Sequence, residues 1–210
     1  MNASERAEMR DPYLWPDADV LRNSLGIKDA ERLEAAEADI AAVKLLTVDG
    51  AVAALPFDFS RLLAIHKHVF GDLFEWAGSV GTIPIVKGER ILGGDTVRYS
   101  PPGGIQRDAE RILREMNGTD WSVLDIHETA EKFAKLTAAL WQAHPFREGN
   151  TRTAITFAAQ FAEARGFRMD KSLLKERAAY VRDALAKGSD GQYSEYEYLV
   201  KIFRDAILRG

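Results

Sequence analysis

Apolar residues recur at spacings of three and four along most of this chain, and that period predicts a molecule built mainly of helices. The clearest stretch is 125–143, where Ile126, Ala130, Phe133, Thr137, Leu140 and Trp141 form one stripe. Pro145 ends it, because the residue before a proline is pushed out of helical geometry. His144 therefore sits at a corner, with its ring free to point outward. Ala154, Phe157, Ala158 and Phe161 start a second apolar helix just beyond. Earlier in the chain, Asp29 caps a helix whose Leu33, Ala36, Ile40 and Val43 face inward. Further helices are expected over 57–70 and over 105–116, the latter stopped by Asn117-Gly118. The pattern then predicts one helix over 171–187, ended by Gly188-Ser189-Asp190-Gly191, and a last one carrying Tyr193, Tyr196, Leu199, Ile202 and Phe203.

Region 79–105 breaks the helical period. Thr82-Ile83-Pro84-Ile85-Val86 and Thr96-Val97-Arg98-Tyr99-Ser100 read as short strands around the turn-rich Lys87-Gly88-Glu89-Arg90 and Gly93-Gly94-Asp95. Pro84 cannot donate to a ladder, so the first strand should be an edge, open to a target peptide by strand addition. Lys87 and Arg90 would steer an acidic partner; a plain two-stranded arm with solvated charges fits the same residues. The expected fold is mainly α, a helical bundle with a short β-hairpin flap at 79–105, in a single domain over 1–210.

Composition narrows the classes. With 210 residues and 46% hydrophobic content, the chain can bury a full core without staples. It has no cysteine, so neither a disulfide framework nor a thiolate metal site is available. A net charge of −4 argues against general nucleic-acid binding, which needs a basic face. No apolar run reaches membrane-spanning length, and residues 1–10 lack the apolar core of a signal peptide. The default expectation is a cytoplasmic protein, with delivery into another cell by a route that reads no N-terminal signal left open. His66 and His68, two positions apart on one helix, point to different faces and are read as structural; His127 is read as a surface or capping residue.

Candidate chemistry concentrates at 144–155. His144-Pro145-Phe146-Arg147-Glu148-Gly149-Asn150-Thr151-Arg152 sets a base, an acid, a glycine turn, an amide and a cation at the mouth of an apolar helix. Unpaired N–H groups and the positive end of the dipole suit such a place to phosphate. Arg152, in the first turn, is unfavourable against that dipole unless an anion lies between them. Each member also has a plainer reading: His144 as a hydrogen-bonded loop residue, Glu148 and Arg152 as a helical ion pair, Asn150 as a cap.

The stretch resembles the Fic-domain motif, His-Pro-Phe-x-Asp/Glu-Gly-Asn-Gly-Arg-x-x-Arg. Asp11-Pro12-Tyr13, Asp19-Val20-Leu21-Arg22-Asn23 and Leu25-Gly26-Ile27 resemble the lead of the short toxin-like members, and Leu73-Phe74-Glu75-Trp76-Ala77-Gly78 the entry to the family's flap. The resemblance covers roughly 11–203. It implies transfer of AMP from ATP to a Ser, Thr or Tyr hydroxyl of a target protein. In that reading His144 is the catalytic base, and Glu148 holds Mg²⁺, a hard cation that takes carboxylate and phosphate oxygens together. Gly149, Asn150, Thr151 and Arg152 bind the nucleotide. Phe146 anchors the loop in the core.

Two positions depart from the motif: Thr151 stands at its second glycine and Ile155 at its final arginine. A β-branched residue at positive φ would be strained, whereas a helical Thr151 would fit and lend a hydroxyl. Ile155 removes a charge-assisted phosphate contact. These departures keep two alternatives open, a related transferase with another donor or phosphate transfer, and a non-catalytic Fic fold that binds. Ser172-Leu173-Leu174-Lys175-Glu176 starts the family's inhibitory pattern but Arg177 does not complete it. The N-terminal resemblance implies instead a separate small helical antitoxin.

Overall fold

The computed structural model describes residues 11–208. Residues 1–10, and the signal-peptide expectation placed on them, lie outside the described residues. Two compact units are present, one made of the chain up to Ala53 with Leu63–Ser79, the other of Ala54–Leu62 with everything from Val80 onward.

In the first unit, α1 spans Ala30–Leu45, its N-terminus closed by the Asp29 carboxylate accepting from Arg32 N. Its inward face is narrower than the periodicity predicts. Leu33 and Ala41 are buried, while Val43 lies exposed. A single turn, α2 (Val48–Ala51), follows, and α3 (Phe59–Phe70) runs from the second unit into the first. The core of this unit is aromatic: Trp76 stacks on Phe74 at 4.6 Å and meets the edge of Tyr13 at 5.3 Å. His66 is fully buried there, its Nδ1 accepting from Gly78 N at 2.8 Å. His68 Nε2 lies 3.0 Å from Thr47 Oγ1. Both contacts are those of structural histidines.

The second unit is organised around α5 (Ile126–Ala143), against which α4 (Ile105–Gly118), α6 (Asn150–Ala164) and α9 (Glu197–Ala206) pack. Asp125 and Glu128 form a reciprocal capping box that starts α5 within one residue of the expected place. Its stripe is buried from Ala130 onward, while Ile126, in the first turn, stays exposed. Phe133 lies at the centre of an aromatic cluster with Trp121, Phe161, Phe167 and Phe203. Burying side chains of this size stabilises by roughly 1.5–3 kcal/mol each.

Several boundaries differ from expectation. Asn117-Gly118 does not stop α4, which includes both; the Asn117 amide donates to Leu113 O and Phe57 O, so its polar group is used without breaking the helix. The helix expected over 171–187 is two, α7 (Lys171–Glu176) and α8 (Ala178–Lys187), separated at Arg177; no feature of the sequence pattern marks that break. Tyr193 is exposed ahead of α9, not on its packed face. An antiparallel pair, β1 (Arg168–Met169) with β2 (Ile207–Leu208), joins chain segments for which no strand was expected.

The flap is antiparallel but is not a pair of strands. Its arms meet in one bridge, Gly88 with Thr96, and Glu89 N donates to Asp95 O at 2.8 Å. Pro84 has no N–H to offer, and Lys87 N is diverted to the Thr96 hydroxyl at 3.1 Å. A side chain thus replaces the next rung of the ladder. Among the described residues no helix is long and apolar enough to cross a membrane.

Candidate active site

The loop between α5 and α6 is built by two left-handed residues. His144 closes α5 at φ 48°, the one non-glycine residue with positive φ among the described residues, and its N–H still reaches Trp141 O at 3.0 Å. Pro145 forbids a helical continuation, and its carbonyl accepts from Gly81 N at 2.8 Å. Gly149 opens α6 at φ 81°, where a side chain would be strained. Between them Phe146 is buried, as its anchoring role requires.

Asn150 latches this loop. Its Oδ1 accepts from Phe146 N at 2.9 Å and its Nδ2 donates to Phe146 O at 2.7 Å. One amide thereby satisfies both polar groups of a buried peptide. Asn150 is accordingly the first residue of α6 and not its cap, and its side chain is committed to the loop.

Thr151 is helical, so no strain arises at the position of the motif's second glycine. Its hydroxyl accepts from Trp141 Nε1 at 2.9 Å, tying α5 to α6 beside the loop. Arg152 shares the first turn, and Ile155 lies one turn further along, half-buried. The first backbone N–H groups of α6 have no intrahelical carbonyl to bind.

His144 does not point freely outward. Only 9% of the residue is exposed. Tyr99 lies over its ring at a centroid distance of 3.8 Å and an interplanar angle of 32°, and Trp141 meets it edge-on at 5.5 Å. Burial, the largest cause, pushes the imidazolium down to about 3 against the opposing charge of Glu148. The ring is therefore neutral at pH 7.

The stability consequence has a definite sign. The folded value lies below the unfolded one, near 6.5, so the unfolded chain binds the extra proton. His144's contribution is full above that value and is lost as pH falls toward 3. Urea midpoints at pH 7 and pH 5 are expected to differ less in a His144→Gln variant, which cannot take up this proton. An unchanged difference would contradict the assignment.

Glu148 is half-buried at the same mouth. Burial works to raise its carboxyl, but the Lys87 ammonium and the Gly149 N–H, which donates to Oε1 at 3.1 Å, outweigh it and hold the group ionised. Lys87 Nζ stands 3.5 Å from Oε2. Lys87 and Arg90 are thus engaged within the protein, the latter with Asp183 at 2.6 Å.

The structure brings together the whole predicted set, His144, Glu148, Gly149, Asn150, Thr151 and Arg152, on one loop and helix start. It adds residues that sequence reasoning missed. Glu89, read as part of a solvated turn, is 1% exposed and receives both Arg182 amino groups at 2.7 and 2.9 Å. Tyr99, read only as a strand residue, donates its hydroxyl to Glu89 at 3.2 Å while its ring covers His144. A buried acid in a turn carries no periodic signal that could have singled it out.

Comparison with known proteins gives a consistent result. The sequence model of the Fic/DOC family matches residues 56–162. "Probable protein adenylyltransferase y4lH" of Sinorhizobium fredii is 34% identical over 190 residues, covering 87% of this chain and 90% of that protein. "Protein adenylyltransferase VbhT" of Bartonella schoenbuchensis is 35% identical over 162 residues, covering 76% of this chain but only 32% of that longer protein. Among solved structures, the N-terminal Fic domain of a VirB-translocated Bep effector protein from Bartonella quintana, with bound ADP, aligns at a TM-score of 0.77. Its identity is 26%, and the alignment covers 94% of each chain. With the motif held in one latched loop, and with both sequence and fold matching over most of their length, this chain belongs to the Fic/DOC family.

Proposed function

We propose that this protein transfers AMP from ATP to a hydroxyl side chain of a target protein, with His144 as the base. The observation that carries the reading is that His144 and Glu148 lie in the one loop that leads into the α6 N-terminus, where the backbone at Asn150 and Thr151 is suited to a phosphate. The names of the relatives and the ADP held by the B. quintana domain support the same donor class. In the reaction the Ser, Thr or Tyr oxygen of the target bonds to the α-phosphorus, and the bond from that phosphorus to the bridging oxygen breaks. Pyrophosphate leaves, and the hydroxyl proton passes to the neutral imidazole.

A ring held near 3 is a weak base in the free protein. A polyphosphate seated beside it brings negative charge that favours the imidazolium and moves it toward the working range. The backbone N–H groups at Asn150 and Thr151 and the Arg152 guanidinium would carry the phosphates, beside Gly149, whose N–H holds Glu148, with charge-assisted contacts stabilising the leaving pyrophosphate.

Glu148 fits Mg²⁺. It is an ionised carboxylate at the mouth of the cradle, and among the described residues no cluster of three or more His, Asp or Glu offers an all-protein cage. Mg²⁺ is commonly held by one or two carboxylates together with substrate phosphates. When bound, the ion would neutralise phosphate charge at that carboxylate, and Lys87 is the cation it would replace there.

Ile155 is the observation behind a second reading, in which a different donor or a phosphate group is transferred. Restoring the guanidinium by Ile155→Arg is expected to tighten ATP by about 10- to 100-fold, the worth of one charge-assisted hydrogen bond. Calorimetry with ATP checks this, and an unchanged Kd would show that the position does not face the donor. For the reaction itself, lysate is incubated with α-labelled or γ-labelled ATP and Mg²⁺. Protein-bound α-label with no γ-label supports AMP transfer; γ-label alone favours phosphate transfer, and neither label favours a binding protein.

A short helical partner, the small antitoxin of the toxin-like members, would dock on the N-terminal helices, where Val43 and Leu46 are exposed on and just after α1. Co-expression with a neighbouring small reading frame that yields no complex would remove this proposal. The working location proposed with it is the cytoplasm.

A further inference from the structure

An imidazole that acts as a base must be held in one orientation, and a hydrogen bond to its second nitrogen commonly does this. Here His144 Nδ1 is buried and has no hydrogen-bond partner among the described residues. The ring is nevertheless enclosed. Tyr99 covers one face at 3.8 Å, and Trp141 meets it nearly perpendicular, at 87°.

Tyr99 is itself held at several points. Gln142, two residues before His144, accepts from Ser100 N at 3.4 Å through its carbonyl. Its side-chain amide donates to Arg98 O at 3.1 Å, so both neighbours of Tyr99 are tied to the end of α5. The Tyr99 hydroxyl is anchored on Glu89, and Glu89 in turn on Arg182 of α8 through two hydrogen bonds. The Trp141 edge meets Tyr99 at 5.7 Å. A flat surface fixed in this way restricts the plane of whatever ring rests on it.

We infer that Tyr99 is a positioning residue, a platform that sets the plane of the His144 imidazole by stacking, with Glu89 and Arg182 locking the platform in place. It takes the part that an orienting hydrogen bond plays at other histidine bases. This rests on the reading of His144 as the base of the transfer. The stacking face, and not the hydroxyl, performs the task. The hydroxyl serves to keep the ring in register.

Three variants and two readouts test this. Tyr99→Leu removes the aromatic face and is expected to lower kcat by about 10- to 100-fold, the scale of a misplaced reacting group, with the KM for ATP essentially unchanged. Tyr99→Phe keeps the face and should retain most of kcat. Glu89→Gln loosens the lock and should lower kcat in the same direction by less. If Tyr99→Leu does not fold, the Phe and Gln variants carry the comparison. The second readout needs no activity: the His144 ring protons, assigned among four histidines by their loss in His144→Ala, are shifted upfield by the stacked ring. Tyr99→Leu should abolish that shift and Tyr99→Phe should preserve it. A Tyr99→Leu enzyme with wild-type kcat, a Phe variant as impaired as Leu, or ring shifts indifferent to Tyr99 would each overturn the inference. An inactive wild-type protein that keeps a Tyr99-dependent ring shift would instead sink the transfer reading and leave the stacking established.

Discussion

His144→Ala is expected to reduce the rate of AMP transfer by ~10²–10⁴-fold, the usual contribution of a positioned general base. The loss should fall on kcat and on kcat/KM alike, because in the proposed reading the imidazole takes the proton that leaves during reaction and does not hold the resting nucleotide. Binding should survive. In the proposed reading the phosphate cradle is made of backbone groups at the start of α6 and of Arg152, and the loop is latched by Asn150 through contacts that do not involve His144. The backbone is suited to the change as well, since the turn is enforced by Pro145 and by the Trp141 carbonyl, both of which remain. Initial rates of α-label incorporation, with the nucleotide Kd measured in parallel, check the expectation. A variant that keeps its rate, or one that loses nucleotide affinity to the same degree, would show that His144 serves the loop and not the chemistry.

Arg182→Ala is expected to lower stability by about 3 kcal/mol, the lower end of the range for breaking a buried ion pair, because the Arg182 side chain keeps 35% exposure. The cost arises on the other side of the pair. Glu89 is 1% exposed, and without the guanidinium its charge is left with the Tyr99 hydroxyl alone. Removing both charges together, in Glu89→Leu with Arg182→Met, should recover most of the loss, since a buried pair contributes little over apolar groups of similar size. Urea midpoints of the two variants measure this directly. Equal destabilisation by the single and double variants would show that the pair itself, and not the stranded carboxylate, carries the stability.

The two positions that depart from the family motif are settled differently by the fold. Thr151 is accommodated without strain because α6 has already begun, and its hydroxyl gains the Trp141 indole. Ile155, an apolar side chain, supplies no cation in place of the motif's final arginine. In the proposed reading the phosphate grip would therefore rest more heavily on Arg152 and the helix N-terminus.

Much of the site was legible in the sequence because it is local. A proline after His144 and a glycine before the helix specify the turn through interactions spanning a few residues, whereas the latch of Asn150 onto Phe146 emerged only in the structure. The capping box that starts α5 and the 3.6-residue stripes of the helices are local in the same sense. The flap was legible as a turn but not in detail. Two short segments read as strands, but Pro84 has no N–H to give and the Thr96 hydroxyl takes the N–H of Lys87, so the arms share one bridge only.

What the sequence by itself determined is the helical bundle and the identity of the loop chemistry, because backbone sterics, caps and periodicity act between near neighbours. Only the tertiary structure decided the surroundings of that chemistry. Glu89 finds Arg182 across 93 residues, and Tyr99 reaches His144 from the flap. No local preference encodes such pairs; they exist because packing α8 and the flap against the end of α5 buries a charge and a ring that must then find partners.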